Sequence, residues 1–219
     1  EIGVRLVGSE MCIRDRDEAV SIMVDKANIA ADTIKNNYDC CVAYYDEHLL
    51  EISIEQRRLL GEFEPALQND EFVMYLQPQV KRDGAAKGAE ALVRWVHPSR
   101  GILTPYAFID ILENAGLIYK LDLYIWEKAA QKLAEWKEKG YGSYHISVNI
   151  STKDFYIIDI YETFTGLINK YGIAASNLHL EITETTLMTD FEKNMNIIHK
   201  LQDCLLYTSP SPRDGLLSR

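Results

Sequence analysis

Apolar positions recur along this chain in two rhythms, one of three to four residues and one of two, which read as helices and strands. The helical rhythm comes first. From Asp17 to Asn36, Val20, Met23, Ala27, Ala30 or Ala31, and Ile34 form a single stripe. Asn36-Asn37 interrupts it, and Cys41–Tyr45 (CVAYY) reads as a short strand. A second helix is expected from Glu47 to about Phe63, with Leu49, Ile52, Leu59 or Leu60, and Phe63 near heptad spacing. Gln56 on the seam and Gly61 weaken it as a coiled coil, so it reads as a connector. Pro65 then opens a new helical turn over 66–69, where its missing N–H costs little. Asn69-Asp70 turns the chain into extended structure.

Phe72 to Trp95 reads as two strands joined by a polar, Gly-containing turn, each with one polar residue at an apolar position, Gln77 and Glu90. His97 to Gly101 is a loop. Thr104-Pro105 supplies N-cap and N1 of a helix over 105–115, which Gly116 ends. Leu121–Lys139 is a longer helix with Leu123, Trp126, Ala130, Leu133 and Trp136 on its buried face. Tyr144–Ser151 (YHISVNIS) alternates strictly, with Ile146, Val148 and Ile150 opposite Ser147, Asn149 and Ser151. Phe155–Tyr171 is helical. Leu178–Thr183 alternates again, Leu180 and Ile182 opposite His179, Glu181 and Thr183, and a last helix covers about 190–202. Strand, helix, strand, helix, strand, helix after an opening pair predicts an α/β fold with a largely parallel sheet.

Three of these strands carry an oxygen ligand near the middle or C-terminal end: Glu90, Asn149 and Glu181. In a barrel of βα units such positions converge on one mouth. Two carboxylates and an amide carbonyl are hard donors, suited to Mg²⁺ or Mn²⁺ rather than zinc. For any one of them alone, the solvent side of a half-exposed sheet is the ordinary explanation. Three together in βα context favour a site. His97, His145, His179 and His199 have no ligand-like mutual spacing and are expected on the surface or in loops, and Trp95, Trp126 and Trp136 in the core. No Ser/His/Asp or Cys/His set and no Gly-rich phosphate loop is present.

The stretches YLQP, EALVRW, HPSRGILTPYAFI, SVNIS and EITE together resemble the EAL domain, the bacterial phosphodiesterase that opens cyclic di-GMP. The resemblance implies a TIM-like (β/α) barrel, of which residues 64–203 would be the first half. It implies Glu90, Asn149 and Glu181 as metal ligands in a two-metal site, and Gln77 and Arg94 as substrate contacts. Glu184 resembles the second acid of EITE, which steadies a loop beside the metals; an exposed acid at a strand end is the alternative. The family's Asp-Asp motif and the Lys, Glu and Gln of later strands have no counterpart before residue 203. The helix and strand within 17–46 resemble the end of a GGDEF domain, an α+β cyclase fold, with 47–63 as the linker helix. The implied function is hydrolysis of cyclic di-GMP to linear pGpG, with this chain alone inactive. The rival is a non-catalytic EAL module acting as a cyclic di-GMP receptor or protein-interaction domain.

The 219 residues are 47% hydrophobic and 26% charged, with net charge −10. That balance argues against gripping a nucleic-acid polymer. No apolar run approaches the roughly 20 residues that span a bilayer. Adjacent Cys40 and Cys41 suit neither a metal site nor an ordinary disulfide, and read as reduced thiols in a cytoplasmic protein. A sensor or membrane region upstream, and a homodimeric parent, are compatible with this. Leu6–Arg16 (LVGSEMCIRDR) and Cys204–Asp214 (CLLYTSPSPRD) back-translate into nucleotide strings that are reverse complements across nearly their whole length. Protein constraints do not produce such complementarity, so 1–16 and 204–219 are expected to be translated sequencing adaptor.

Overall fold

The computed structural model describes residues 19–35, 42–80, 84–182, 191–203 and 207–210. The chain divides into two compact units at Gly61/Glu62.

In the first unit, α1 (Val20–Asp32) buries Met23 and Ala30 and leaves Val20 69% exposed, so the stripe runs through Met23 and Ala30 without its expected first member. Residues 42–46 form no strand, and Cys41 lies outside the described residues. Their exposure still alternates, but alternation alone does not make a strand, which exists only as part of a ladder. Asp46 caps the next helix, its Oδ1 accepting from Leu49 N–H at 2.9 Å. That helix, α2 (Glu47–Gln68), runs on past the expected end at Phe63 and takes Pro65 into its interior. Proline removes the hydrogen bond to the carbonyl four residues back. Here that residue is Gly61, exposed and with open space around it, so its carbonyl can turn to water.

In the second unit, Asp70 adopts a left-handed φ of 54° at the turn after α2. Its carboxylate accepts from Tyr124 Oη at 2.7 Å and Lys128 Nζ at 2.8 Å. The Lys128 bond, then the Tyr124 bond, holds the Asp70 carboxyl below its ordinary range. Strands β1 (Phe72–Val80) and β2 (Ala86–His97) pair antiparallel, with a register irregularity at Gln79/Val80. A short β3 (Gly101–Leu103), beginning where the loop expected over 97–101 ends, folds back antiparallel on the end of β2. A 3₁₀ turn (Pro105–Ala107) and α3 (Ile109–Asn114) replace the single helix expected over 105–115. Then follow α4 (Ile118–Glu138), β4 (His145–Ile150), α5 (Asp154–Ile157), α6 (Ile160–Tyr171), β5 (Leu178–Ile182), α7 (Phe191–Asp203) and β6 (Tyr207–Pro210).

The sheet order is β1-β2-β4-β5-β6, with β3 on β2, and every pairing from β2 through β4, β5 and β6 is parallel. This is the α/β arrangement that the strand–helix alternation predicts. One helix over 155–171 was expected; the break instead falls at Ile158-Asp159. Asp159 caps α6 by accepting from Glu162 N–H at 2.9 Å, and Gly172 ends it at φ 58°. β6 lies within 204–219, the segment expected to stand outside the fold. Its pairing is through backbone, which the outer edge of β5 offers to any extended segment whatever its side chains.

Strand alternation sorts the sheet into two faces. One carries Ala89, Ala91, Val93 and Trp95, then Ile146, Val148 and Ile150, then Leu178, Leu180 and Ile182, all buried. The buried row of α4 is Leu121, Ile125, Ala129 and Leu133 with Trp126 and Ala130, so Leu123 and Trp136 sit half-buried beside the stripe they were expected to join. Trp126 packs on Phe164 of α6, ring centroids 4.6 Å apart. Near the end of β2, Trp95, Phe72, Phe108 and Phe63 form a buried aromatic cluster with centroids 4.8–5.8 Å apart. Burying each such ring contributes about 1.5–3 kcal/mol, which makes this face the core. The other face is polar.

Candidate functional site

The polar face is built by the same alternation in opposite phase. Gln77 stands opposite Glu90 in the β1–β2 register, Glu90 opposite Ser147 across β2–β4, and Asn149 opposite Glu181 across β4–β5. Glu90 is only 6% exposed, on a central strand. Asn149 Nδ2 reaches its Oε1 at 3.5 Å. Glu181, half-buried, accepts from Gln79 Nε2 at 3.3 Å. Glu90, Asn149 and Glu181 are thus gathered on one face. Asn149 is fixed from behind as well, since its backbone carbonyl accepts from Trp126 Nε1 at 3.0 Å.

Gln77 is exposed on the edge strand β1, on the same face. Arg94 lies four residues beyond Glu90 along β2, in the same strand phase; its Nη1 donates to Val93 O at 2.7 Å and its guanidinium stands 5.7 Å from the Tyr75 ring centre. Glu184 lies outside the described residues.

Three of the four histidines depart from expectation, while His199 is exposed as expected. His97 is buried, its Nε2 2.9 Å from Glu62 Oε2, while Ser99 N–H donates to its Nδ1. His145 is 5% exposed in the middle of the sheet. Its Nε2 lies 2.8 Å from Gln79 Oε1, and its ring stacks on His179 at 3.8 Å and 13°. Burial first, then the neighbouring His179 and Lys87, pushes the His145 pKa down to about 4, and burial likewise depresses His179. Gln79, Gly88 and His145 form one row across three strands. Gly88 has no side chain in that row, and a Cβ there would meet His145 O at 2.4 Å and its ring carbons at 2.6 and 2.7 Å. The signal for these residues was strand phase. His145 shares the phase of Asn149, and His179 that of Glu181.

Among the described residues no three His, Cys, Asp or Glu side chains cluster closely enough to hold a metal. Glu90, Glu181 and the Asn149 amide, turned to present Oδ1, still fit a hard cation that keeps several of its waters. The set lacks the Cys and His donors on which zinc sites chiefly draw.

A polar sheet face with acids and an amide on neighbouring parallel strands, backed by helices, defines an α/β protein of the barrel type with its chemistry on one face. The chain belongs to the EAL domain family, whose match covers residues 61–204. It is 29% identical over 173 residues to the bifunctional diguanylate cyclase/cyclic di-GMP phosphodiesterase MucR of Pseudomonas aeruginosa, covering 78% of this chain and 25% of that protein. It is 30% identical over 135 residues to the cyclic di-GMP phosphodiesterase PdeR of Escherichia coli, covering 62% and 20%. Among solved structures, PaMucR phosphodiesterase in complex with c-di-GMP superposes with a TM-score of 0.68 at 29% identity, over 74% of this chain and 66% of that one. The EAL enzyme Bd1971 in its cGMP-bound form gives 0.67 at 26%, over 77% and 48%. The chain spans about a quarter of the length of the curated relatives it matches.

Proposed function

We propose that this chain carries the metal-holding and substrate-binding part of a cyclic di-GMP phosphodiesterase, which hydrolyses cyclic di-GMP to linear pGpG in bacterial second-messenger signalling. The observation that carries this is the gathering of Glu90, Asn149 and Glu181 on one polar face of an EAL-family sheet. Glu90, Asn149 and Glu181 hold Mg²⁺ or Mn²⁺. A bound cation of this kind lowers the pKa of a water and stabilises the leaving oxygen of an in-line displacement. Arg94 exchanges its Val93 carbonyl contact for a substrate phosphate, a charge-assisted bond that its fork geometry suits. Gln77, exposed at the rim of the same face, contacts the dinucleotide, and Glu184 steadies a neighbouring loop. Two carboxylates are a thin shell for two ions, and the described face offers no positioned base. Binding without hydrolysis is therefore the expected behaviour of residues 1–219 alone.

The organisation proposed around this part follows the sequence. Residues 17–46 are the end of a GGDEF-like domain and 47–63 a connector. Support comes from MucR, named as bifunctional, whose alignment over 173 residues is longer than the family match over 61–204. Residues 1–16 and 204–219 are translated adaptor, which resequencing the locus tests directly. The parent is proposed to be cytoplasmic and homodimeric in this part; among the described residues no helix is long and apolar enough to cross a membrane.

The test pairs a binding assay with product chromatography. Purified 1–219 should bind cyclic di-GMP in Mg²⁺ or Mn²⁺, and Arg94→Ala should weaken that binding roughly 10- to 100-fold, the loss expected of a charge-assisted bond of about 1.5–3 kcal/mol. Linear pGpG should form only when the chain is extended to the full length of its relatives, and Glu90→Ala should abolish it. Hydrolysis by 1–219 that Glu90→Ala removes would overturn the inactivity. Metal and dinucleotide binding indifferent to Glu90→Ala, Asn149→Ala and Glu181→Ala would overturn the site.

A further inference from the structure

Gln79 belongs to no site motif, yet it ties the two halves of the polar face together. Its Nε2 donates to Glu181 Oε1 at 3.3 Å and lies 3.5 Å from Ser147 Oγ, while its Oε1 faces His145 Nε2 at 2.8 Å. It can span from the edge strand to β4 and β5 because Gly88, its register partner, leaves the space above β2 empty.

We propose that Gln79 is a positioning residue for the Glu181 carboxylate, its amide held in one sense by the Nε2–H tautomer of His145. This rests on the reading of Glu181 as a metal ligand.

The argument runs through donors and acceptors. A carboxylate only accepts, so Glu181 requires the NH₂ end of the Gln79 amide and rejects the carbonyl end. The carbonyl end is thereby turned to His145, where it can only accept. His145 Nε2 must therefore carry a hydrogen. Its ring is neutral at neutral pH because of its burial, so that hydrogen is a tautomer choice and not a charge. Stacking on His179, with Ser176 O 3.1 Å from His179 Nε2, keeps the His145 ring from turning. The chain of constraints runs His179, His145, Gln79, Glu181. Each link removes one rotation, and the last fixes which way a ligand oxygen faces, the second-sphere orientation that metal sites depend on.

The test is spectroscopic first. In metal-free 1–219, ¹⁵N imidazole spectra should show His145 as one Nε2–H tautomer at neutral pH. Glu181→Ala, which frees the amide to turn, should produce a mixture with Nδ1–H. An Nδ1–H tautomer in the unsubstituted chain would overturn the proposal, and this reading needs no variant to fold. Binding of Mn²⁺, followed by electron paramagnetic resonance, is the second readout. Gln79→Ala should weaken it about five-fold, the worth of one net hydrogen bond of about 1 kcal/mol. His145→Gln, which keeps an N–H donor, should retain more affinity than His145→Leu. Mn²⁺ affinity unchanged by Gln79→Ala but lost in Glu181→Ala overturns the positioning role and leaves the ligand role standing. Affinity unchanged in both, with the Nε2–H tautomer observed, overturns the ligand role and leaves the hydrogen-bond chain.

Discussion

Substituting Gly88 by alanine tests the architecture of the polar face where it is tightest. The new Cβ would stand 2.4 Å from the His145 carbonyl oxygen and 2.6 and 2.7 Å from two ring carbons. Non-bonded heavy atoms rest about 3.5–4.0 Å apart, so the strands must separate by about 1 Å at this point. The oxygen cannot move alone, because Gly88 and His145 are register partners in the parallel β2–β4 ladder. Overpacking typically costs about 1–3 kcal/mol, and a backbone contact puts this site at the upper end. Losing the His145–Gln79 bond adds about 1 kcal/mol. The smaller unfolded-state entropy of alanine returns about 0.5–1 kcal/mol. The net expectation is a destabilisation of about 3 kcal/mol. With a urea slope of about 2 kcal/mol/M, the unfolding midpoint falls by about 1.5 M. The control is Gly61→Ala, in α2, where a Cβ meets nothing within 4 Å. A residue with open space in a helix should gain about 0.5–1 kcal/mol from the same change. If Gly88→Ala unfolds within about 0.5 kcal/mol of the unsubstituted chain, the row from Gln79 over Gly88 to His145 is not packed as described.

Acid should destabilise the fold through His145. Its folded pKa of about 4 lies below the ordinary 6.5, so the unfolded chain protonates first as pH falls. Stability is full above pH 6.5 and drains away toward pH 4, by about 2 kcal/mol between pH 7 and 5 at roughly 1.4 kcal/mol per pH unit. His179 adds in the same direction, Lys87 is the charged group beside both, and urea midpoints of His145→Gln should show a flatter pH profile. Trp126→Phe removes the donor to the Asn149 carbonyl and opens space in a fully buried site, so it should cost about 2 kcal/mol; a loss under 0.5 kcal/mol in thermal unfolding contradicts that packing. Asp159→Ala removes the α6 cap and should cost about 1 kcal/mol, with Asp159→Ser restoring most of it.

Periodicity located α4, β4, β5 and α7 to within a few residues, because each buries one face and so repeats at the spacing of its own geometry. The failures have physical causes. CVAYY carries a strand's alternation, but pairing depends on a partner edge that no local pattern encodes. Pro65 promised a helix start, yet the carbonyl it would orphan belongs to exposed Gly61, so the helix continues through it. The short run YAFIDILEN could not be divided from sequence into a 3₁₀ turn and an α-helix, because it is too short for the two periods to be told apart. Glu90, Asn149 and Glu181 were legible as a set because each is an oxygen donor near the middle or C-terminal end of a different strand. His145 and His179 obey the same alternation, but their separation along the chain resembles no ligand spacing. In a parallel sheet sequence separation is irrelevant to contact, while phase and register decide it. Gly88 held the missing clue: a glycine inside a strand marks a place where something else comes close. What comes close is the His145 ring, and with it the side chain of Gln79, which reaches across the vacant position to Glu181. The acids name the chemistry; the glycine and the two imidazoles determine which way one of those acids can point.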